Sequence, residues 1–445
     1  MPPRQSSPVR NLVTRAVVLI VFAIGVAAAS ASHAAPKIQH WMAASGARVY
    51  FIESPGLPIL DVSVEFSAGS ARDAPERAGL AQLTLALLPA GTADIPESEL
   101  SAQLADAGAQ NGRHFDRDRA GLTLRTLSSP AERDKALQLF AAMLQRPAFP
   151  QAAVEREKIR LMAAVRDSQT RPDGLAERRF YATAYANHPY GHLATEDSLK
   201  AIDRSAVEHF YRDHYAASQT TVAIVGNASR AEAAGIAERL SSDLPRSPAA
   251  AAPSPAVPAP TGASLAITHP AAQSHVLMGM PALSRIDPEY FPLVVGNHVL
   301  GGGGFVSRLY REVRERRGYA YSVYSYFLPL GAPGPFLLGL QTRKTESRAA
   351  IARAREVLEE FVAKGPTEAE MQAARASLAG GFPLRIDSNK KLLEQLAVIG
   401  FYRLPLTWLD DYPVQVARVS AADVRRAFGR IDPAKLVTVI VGAPE

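Results

Sequence analysis

Apolar and polar positions alternate with a period of two in "LDVSVEFSAG" (Leu60 to Gly69) and "AGLTLRTLS" (Ala120 to Ser128). Side chains of a strand point alternately to its two faces, so both stretches are predicted to be half-buried β-strands. In "KALQLFAAML" (Lys135 to Leu144) and "AREVLEEFVA" (Ala354 to Ala363) the apolar positions recur three and four apart, which predicts helices with one apolar face. "GLAQLTLALLPAGT" (Gly79 to Thr92) reads as an amphipathic helix running into a Gly91-Thr92 stop, yet its polar positions hold nothing that binds a metal or a proton.

The pattern occurs twice. "SAVEHFYRDHYAASQTTVAIVG" closes on Gly226 and "AADVRRAFGRIDPAKLVTVIVG" closes on Gly442, each a short helical pattern followed by a β-branched strand, 216 residues apart. "AVEREKIRLMAAV" precedes "EMQAARASLAGGF" by 217 residues, and Pro75-Glu76 precedes Pro288-Glu289 by 213. Three matched offsets in one order predict a duplicated unit of strand, helix, strands, two or more helices and a last strand. Between the copies, "PRSPAAAAPSPAVPAPT" (Pro245 to Thr261) has no material for a core and reads as a semi-extended tether. The expected organisation is therefore a leader at 1–34, a first domain at 35–244, a linker at 245–263 and a second domain at 264–445. Alternating strands followed by grouped helices predict an α+β fold of two homologous domains, each a mixed or antiparallel sheet covered by helices.

Composition adds a compartment. Arg4, Arg10 and Arg15 precede a 14-residue apolar run, Ala16 to Ala29, and Ser32-His33-Ala34 resembles a small-residue cleavage site, so export with cleavage after Ala34 is expected. The run is shorter than the roughly 20 residues of a membrane-spanning helix, which argues against stable membrane insertion but leaves an uncleaved anchor open. Loss of the leader's three arginines lowers the formal charge from +6 to +3, and with no Lys/Arg block the balance does not suit nucleic acid. There is no cysteine, which excludes disulfides and thiol chemistry, and an exported chain of this length without them fits a bacterial periplasm.

The order and spacing of these elements, over nearly the whole chain beyond the leader, resemble the insulinase/pitrilysin family of zinc peptidases, which includes the mitochondrial processing peptidase subunits. That resemblance implies a clamshell half built of two such domains. It also implies an inverted zinc motif, His-x-x-Glu-His, on the helix before Gly91-Thr92, with a Glu ligand from a later helix. The five motif positions fall on Gln82, Leu83, Thr84, Leu85 and Ala86, and the later ligand falls near Ala164. Zinc needs imidazole, thiolate or carboxylate donors, so none of these positions can serve. The expectation is no metal in this chain and zinc in a partner subunit.

The second half keeps what the first has lost. "LGGGGFVSRLYREVRERRGYAYSVYSYF" combines a glycine tract (Gly301, Gly302, Gly303, Gly304), a basic helix with Phe305, Leu309 and Val313 four apart, Gly318 placed as a C-terminal cap, and an aromatic alternating strand. It is similar to the family's second-half signature, in which an Arg and a Tyr seven residues apart reach across to the active site. Those positions are Arg314 and Tyr321, and the glycines would admit a substrate backbone. Arg supplies planar donors for a carbonyl and Tyr can stabilise an oxyanion. A phosphate loop would need Gly-Lys-Ser/Thr, whereas the tract runs into Phe305-Val306-Ser307.

Three further stretches are expected to be structural. His188 and His192 are separated by Pro189 and Gly191, which break any helix that would align them; "GRHFDRDRAG" (Gly112 to Gly121) reads as a solvated turn; His298 reads as a buried core histidine. The resemblance thus implies the zinc-free accessory subunit of a periplasmic heterodimeric metallopeptidase, inactive alone, acting on peptides with a homologous partner that bears an intact His-x-x-Glu-His motif. The alternative is a non-catalytic peptide-binding or chaperone-like homodimer.

Overall fold

The computed structural model describes residues 36–246 and 255–442, so the leader and its cleavage point after Ala34 lie outside the described residues. Six strands form sheet 1: β1 (Gln39–Met42), β2 (Arg48–Glu53), β3 (Ile59–Phe66), β4 (Gln110–Phe115), β5 (Ala120–Leu127) and β6 (Thr220–Gly226), in the order β1-β2-β6-β3-β5-β4. Sheet 2 holds β7 (Ala263–Ile267), β8 (Gln273–Leu283), β9 (Ala320–Phe327), β10 (Gly334–Arg343) and β11 (Val437–Val441), in the order β7-β11-β8-β10-β9. From β2 onward the two orders are the same. The pairs β2/β6 and β7/β11 are parallel and the rest antiparallel, so each sheet is mixed. β7 begins at Ala263, within the stretch read as linker.

The first-half helices are α1 (Leu80–Leu87), α2 (Glu97–Asp106), α3 (Pro130–Gln145), α4 (Gln151–Thr170), α5 (Pro172–Ala184), α6 (Glu196–Lys200), α7 (Arg204–His214) and α8 (Arg230–Ser241). Those of the second half are α9 (Tyr290–Asn297), α10 (Ser347–Lys364), α11 (Glu368–Gly380), α12 (Asn389–Tyr402), α13 (Trp408–Arg418) and α14 (Ala421–Phe428). Proline sets one boundary: the residue before a proline avoids the helical region, so α4 ends at Thr170, Arg171 is extended (ψ 134) and Pro172 opens α5 in a new direction. No helix among the described residues is long and apolar enough to cross a membrane.

Leu60, Val62, Val64 and Phe66 of β3 are fully buried against helices of their own half. The opposite face departs from the half-buried expectation, because each half lends a helix to the other. α5 crosses to pack on β8 and β11, and α12 crosses to pack on β6, β3 and β2. The α5 seam is apolar, with Phe180, Tyr181 and Tyr185 joining Leu277, Leu337 and Val439 in one cluster. Burying three such aromatic side chains contributes on the order of 5–9 kcal/mol.

The face of β3 beneath α12 is polar, although α12 itself buries Leu392, Leu396 and Ile399. Asp61, Ser63 and Glu65 alternate along β3 as solvent-facing residues would, yet all three are buried. Arg125 meets Asp61 through Nε and Nη2 at 2.7 and 3.0 Å, Ser63 Oγ donates to Glu65 Oε1 (2.7 Å), and Arg119 Nη1 faces Glu65 Oε2 at 3.8 Å. Sequence alternation therefore marked a buried charged layer instead of a wet surface.

Candidate functional site

The helix with the family's motif positions, α1, is buried almost all round, and Gln82 alone of its eight residues is exposed. It is thus a core helix and not the amphipathic one its pattern suggested. Asp73 caps it from a distance: its Oδ2 accepts from Gly79 N–H and its Oδ1 from Ala81 N–H, both at 2.8 Å. Burial of Asp73 opposes its ionisation more strongly than those two donors favour it, and the carboxyl is pushed up to about 7.

Gln82 and Ala164 line one cleft of about 330 Å³ between α1 and α4, so the two positions counted out from sequence do come together. Its other polar neighbours are already engaged. Asp73 holds the helix end, and His192 Nδ1 lies 3.2 Å from Asp73 O. Asp116 accepts from Arg119 Nε at 3.0 Å and meets His114 Nε2 at 2.9 Å; burial raises this carboxyl, but His114 and Arg119 outweigh burial and hold it at about 2. Zinc would need three converging donors, and this donor set, a neutral amide, two methyl groups and a buried Leu85 at the motif positions with occupied carboxylates nearby, does not fit it.

"GRHFDRDRAG" is not a solvated turn. Gln110 to Phe115 is the edge strand β4, and the turn after it is the junction of the two halves. Asp118 Oδ1 accepts from Tyr190 OH (2.5 Å), and Asp118 Oδ2 accepts from Tyr402 OH (2.7 Å) and from Gly331 N–H (2.7 Å). Tyr190 OH accepts in turn from Ala332 N–H at 3.1 Å. Burial, reinforced by the Asp118 charge, raises both phenols well above the ordinary tyrosine range, so both remain donors. The sequence carried only one signal of this hub, an Asp-rich turn before a strand, and nothing local names its partners.

His188 is fully buried, with Nδ1 accepting from Tyr190 N–H (3.1 Å) and Nε2 3.2 Å from Pro255 O, so it shapes the turn at Pro189–Gly191. His298 is half-buried and not a core residue; burial, with Arg385 nearby, lowers its pKa.

In the second half the glycine tract is a π-turn, His298–Gly302, followed by a 3₁₀ turn, Gly304–Val306. Gly301 is buried where a Cβ would stand 2.4 Å from Ser325 Oγ, so only glycine lets the tract seat on β9, whereas Gly302 and Gly304 are exposed and Gly303 is half-buried. The predicted regular helix is instead a π-helix, Tyr310–Glu315. This break in period leaves Leu309 and Val313 buried but turns Phe305 out to 74% exposure. Gly318 adopts φ +65 and its N–H donates to Arg314 O (2.9 Å), as a cap should.

Arg314 is half-buried with its guanidinium 4.9 Å from the Tyr310 ring centroid. Tyr321 is the one β9 residue skipped by the register shift that pairs Ser322 with Gln341 and Ala320 with Thr342. It is therefore a β-bulge on an edge strand, a device that re-aims a side chain, and it stands 72% exposed. The segment is pinned from below by Glu370, which accepts from Arg308 Nε (2.8 Å) and Nη2 (2.6 Å) and from Arg311 Nη2 (3.2 Å).

Known proteins give a consistent picture. A model of the family described as Insulinase (Peptidase family M16) matches residues 48–197, and one described as Peptidase M16 inactive domain matches residues 201–378. A crystal structure of a peptidase M16 inactive domain from Pseudomonas fluorescens is 34% identical with a TM-score of 0.88, covering 92% of this chain and 98% of that one. The periplasmic protease PqqL from Escherichia coli shares the fold, at 17% identity and a TM-score of 0.78, over 93% of this chain but 46% of its own. An uncharacterized zinc protease of Streptomyces coelicolor is 27% identical over 306 residues; the match spans 65% of each chain, just under two thirds of that relative's length.

Proposed function

The chain belongs to the insulinase family of peptidases, M16, and on that premise we propose that it is the zinc-free accessory subunit of a heterodimeric metallopeptidase, inactive alone. The observation that carries this reading is the cleft between α1 and α4, which keeps its walls while Gln82, Leu85, Ala86 and Ala164 stand where the family's motif would put its chemistry. A homologous partner with an intact His-x-x-Glu-His motif would bring zinc and the water-activating carboxylate.

This chain's contribution needs no metal. Arg314 offers planar donors to a substrate carbonyl, and Tyr321, aimed outward by its bulge, offers a phenol to the developing oxyanion. Gly304, where a Cβ would meet nothing within 4 Å, leaves the tract's outer face open to a peptide backbone, while Gly301, Gly302 and Gly303 seat it against Ser325, Asn297 and His298. The leader pattern at 1–34 supports a periplasmic location.

Purifying the chain from its own host and weighing what co-purifies at equal stoichiometry tests the partnership. A similar-sized chain bearing the zinc motif is expected; recovery of this chain alone would favour the homodimeric peptide binder. In the two-chain complex, Tyr321→Phe is expected to lower peptide turnover by about 10² without dissociating the pair. Unchanged turnover would remove Tyr321 from the mechanism.

A further inference from the structure

A second cleft, of about 420 Å³, lies on the face of sheet 2 beside the N-terminal turns of α5, away from Gln82 and Ala164. One wall carries two carboxylates a helical turn apart, Asp173 and Glu177. The other carries Tyr324 and Tyr326, which share a face of β9 two residues apart, with rings stacked at 6.0 Å and 19° between planes. Leu277 and Leu337 add apolar surface to the lining.

The charge in this cleft is unbalanced. Among the described residues no Lys or Arg lines it, in a chain whose overall charge is positive. Glu177 has no ion-pair or hydrogen-bond partner among the described residues, and Asp173 has only Arg171 at 3.7 Å, both side chains more than half exposed. Arg117 is engaged elsewhere, stacked 3.4 Å over the Tyr181 ring with Nε 3.3 Å from Tyr190 O. His275 also lines the cleft; burial lowers its pKa, and its Nε2 is 2.9 Å from Gln341 Nε2, so it adds no positive charge at neutral pH. Two carboxylates facing two aromatic rings over an aliphatic floor make an environment that attracts cations electrostatically and through the ring faces.

We propose that this cleft binds an organic cation, an ammonium or guanidinium head on an alkyl stem, with Asp173 and Glu177 holding the head against the Tyr324 and Tyr326 rings and the stem lying on Leu277 and Leu337. The cation has two possible sources. β9 is the outer strand of its sheet, so an extended peptide paired along it would place alternate side chains on the Tyr324 face, and one of these could be basic. A free amine would carry the same head and stem.

Calorimetric titration of the purified chain separates the sources and does not depend on a partner subunit or on turnover. The probes are cadaverine, an acetylated hexapeptide with a central Lys, and the same peptide with Gln. Binding of cadaverine identifies a small amine; a Lys peptide held about tenfold tighter than its Gln counterpart, without cadaverine binding, identifies a presented side chain. Either result must disappear in Asp173→Asn/Glu177→Gln, which keeps side-chain shape at exposed positions. Tyr324→Phe, which keeps the ring, must retain it. Absence of both signals, or a preference that survives loss of the carboxylates, overturns the proposal.

Discussion

Removing the Asp118 carboxylate should cost more than any surface ion pair in the molecule. Its two oxygens accept three hydrogen bonds, from Tyr190 OH, Tyr402 OH and Gly331 N–H, and these join the turn after β4 to the second half and to α12. In Asp118→Ala the Tyr190 and Tyr402 hydroxyls both lose the acceptor for their O–H, Tyr190 OH keeping only the bond it accepts from Ala332 N–H, while the exposed Gly331 N–H can turn to water. Leaving a buried donor unsatisfied costs about 1–3 kcal/mol, and hydrogen bonds to a charged group are worth about 1.5–3 kcal/mol, so the expected loss is about 3–5 kcal/mol. Asp118→Asn can keep Tyr402 and Gly331 on its amide oxygen and lose only the Tyr190 donor, for about 1–2 kcal/mol. Urea unfolding followed by tryptophan fluorescence reads both, and Tyr402→Phe combined with Asp118→Ala forms a double-mutant cycle. Non-additivity of at least about 1 kcal/mol is expected. An Asp118→Ala loss under 1 kcal/mol, or strict additivity with Tyr402→Phe, would refute the assignment of Asp118 as the joint between halves.

Leu85 is 2% exposed, so Leu85→Glu, which restores one letter of the family motif, should bury a lone carboxyl and cost about 3 kcal/mol; an unchanged urea midpoint would mean that the cleft opens to admit it. The purified chain dialysed against zinc is expected to hold well under one ion per chain by elemental analysis, and one tightly held zinc would overturn the account of Gln82 to Ala86. Burial works to raise Glu370, but the Arg308 hydrogen bonds, with Thr367 and the Arg308 charge, outweigh it and hold the carboxyl at about 2 instead of 4.5. Because the folded-state pKa is the lower one, this stabilisation is complete above pH 4.5 and is lost as pH falls toward 2. Allowing for solvent contact it is worth about 1–2 kcal/mol, so the stability gap between the wild type and Glu370→Gln should shrink over that range; a gap independent of pH would count against it.

The strands and helices that bury one face in their own half were legible from periodicity, and so was the repeat, because the offsets that matched in sequence recur as matching strand orders. The loss of zinc chemistry at Gln82, Leu85 and Ala86 was equally plain, since it concerns which atoms are present and not where they lie. What periodicity missed came from the exchange of helices. Asp61, Ser63 and Glu65 look solvated because a polar layer alternates as a wet face does, and only α12, more than 320 residues away in the chain, shows that the face is covered. The same distance hid Asp118, whose tyrosine partners lie 72 and 284 residues on. In the Phe305 to Val313 stretch a four-residue spacing predicted one apolar stripe, but the 3₁₀ and π turns shift the phase and put Phe305 outside. The bulge at Tyr321 left no sequence mark, because it depends on how β10 is registered against it.

The crossing of α5 and α12 limits how such a chain can move. Swinging the halves apart would strip α5 from sheet 2 and α12 from sheet 1, baring an aromatic face on one side and the Glu65–Arg119 layer on the other. Neither half is a spare part, and each would be expected to aggregate if produced alone. If the chain pairs with a zinc-bearing partner as proposed, the chamber between them would hinge between chains, with this one turning as a single jaw.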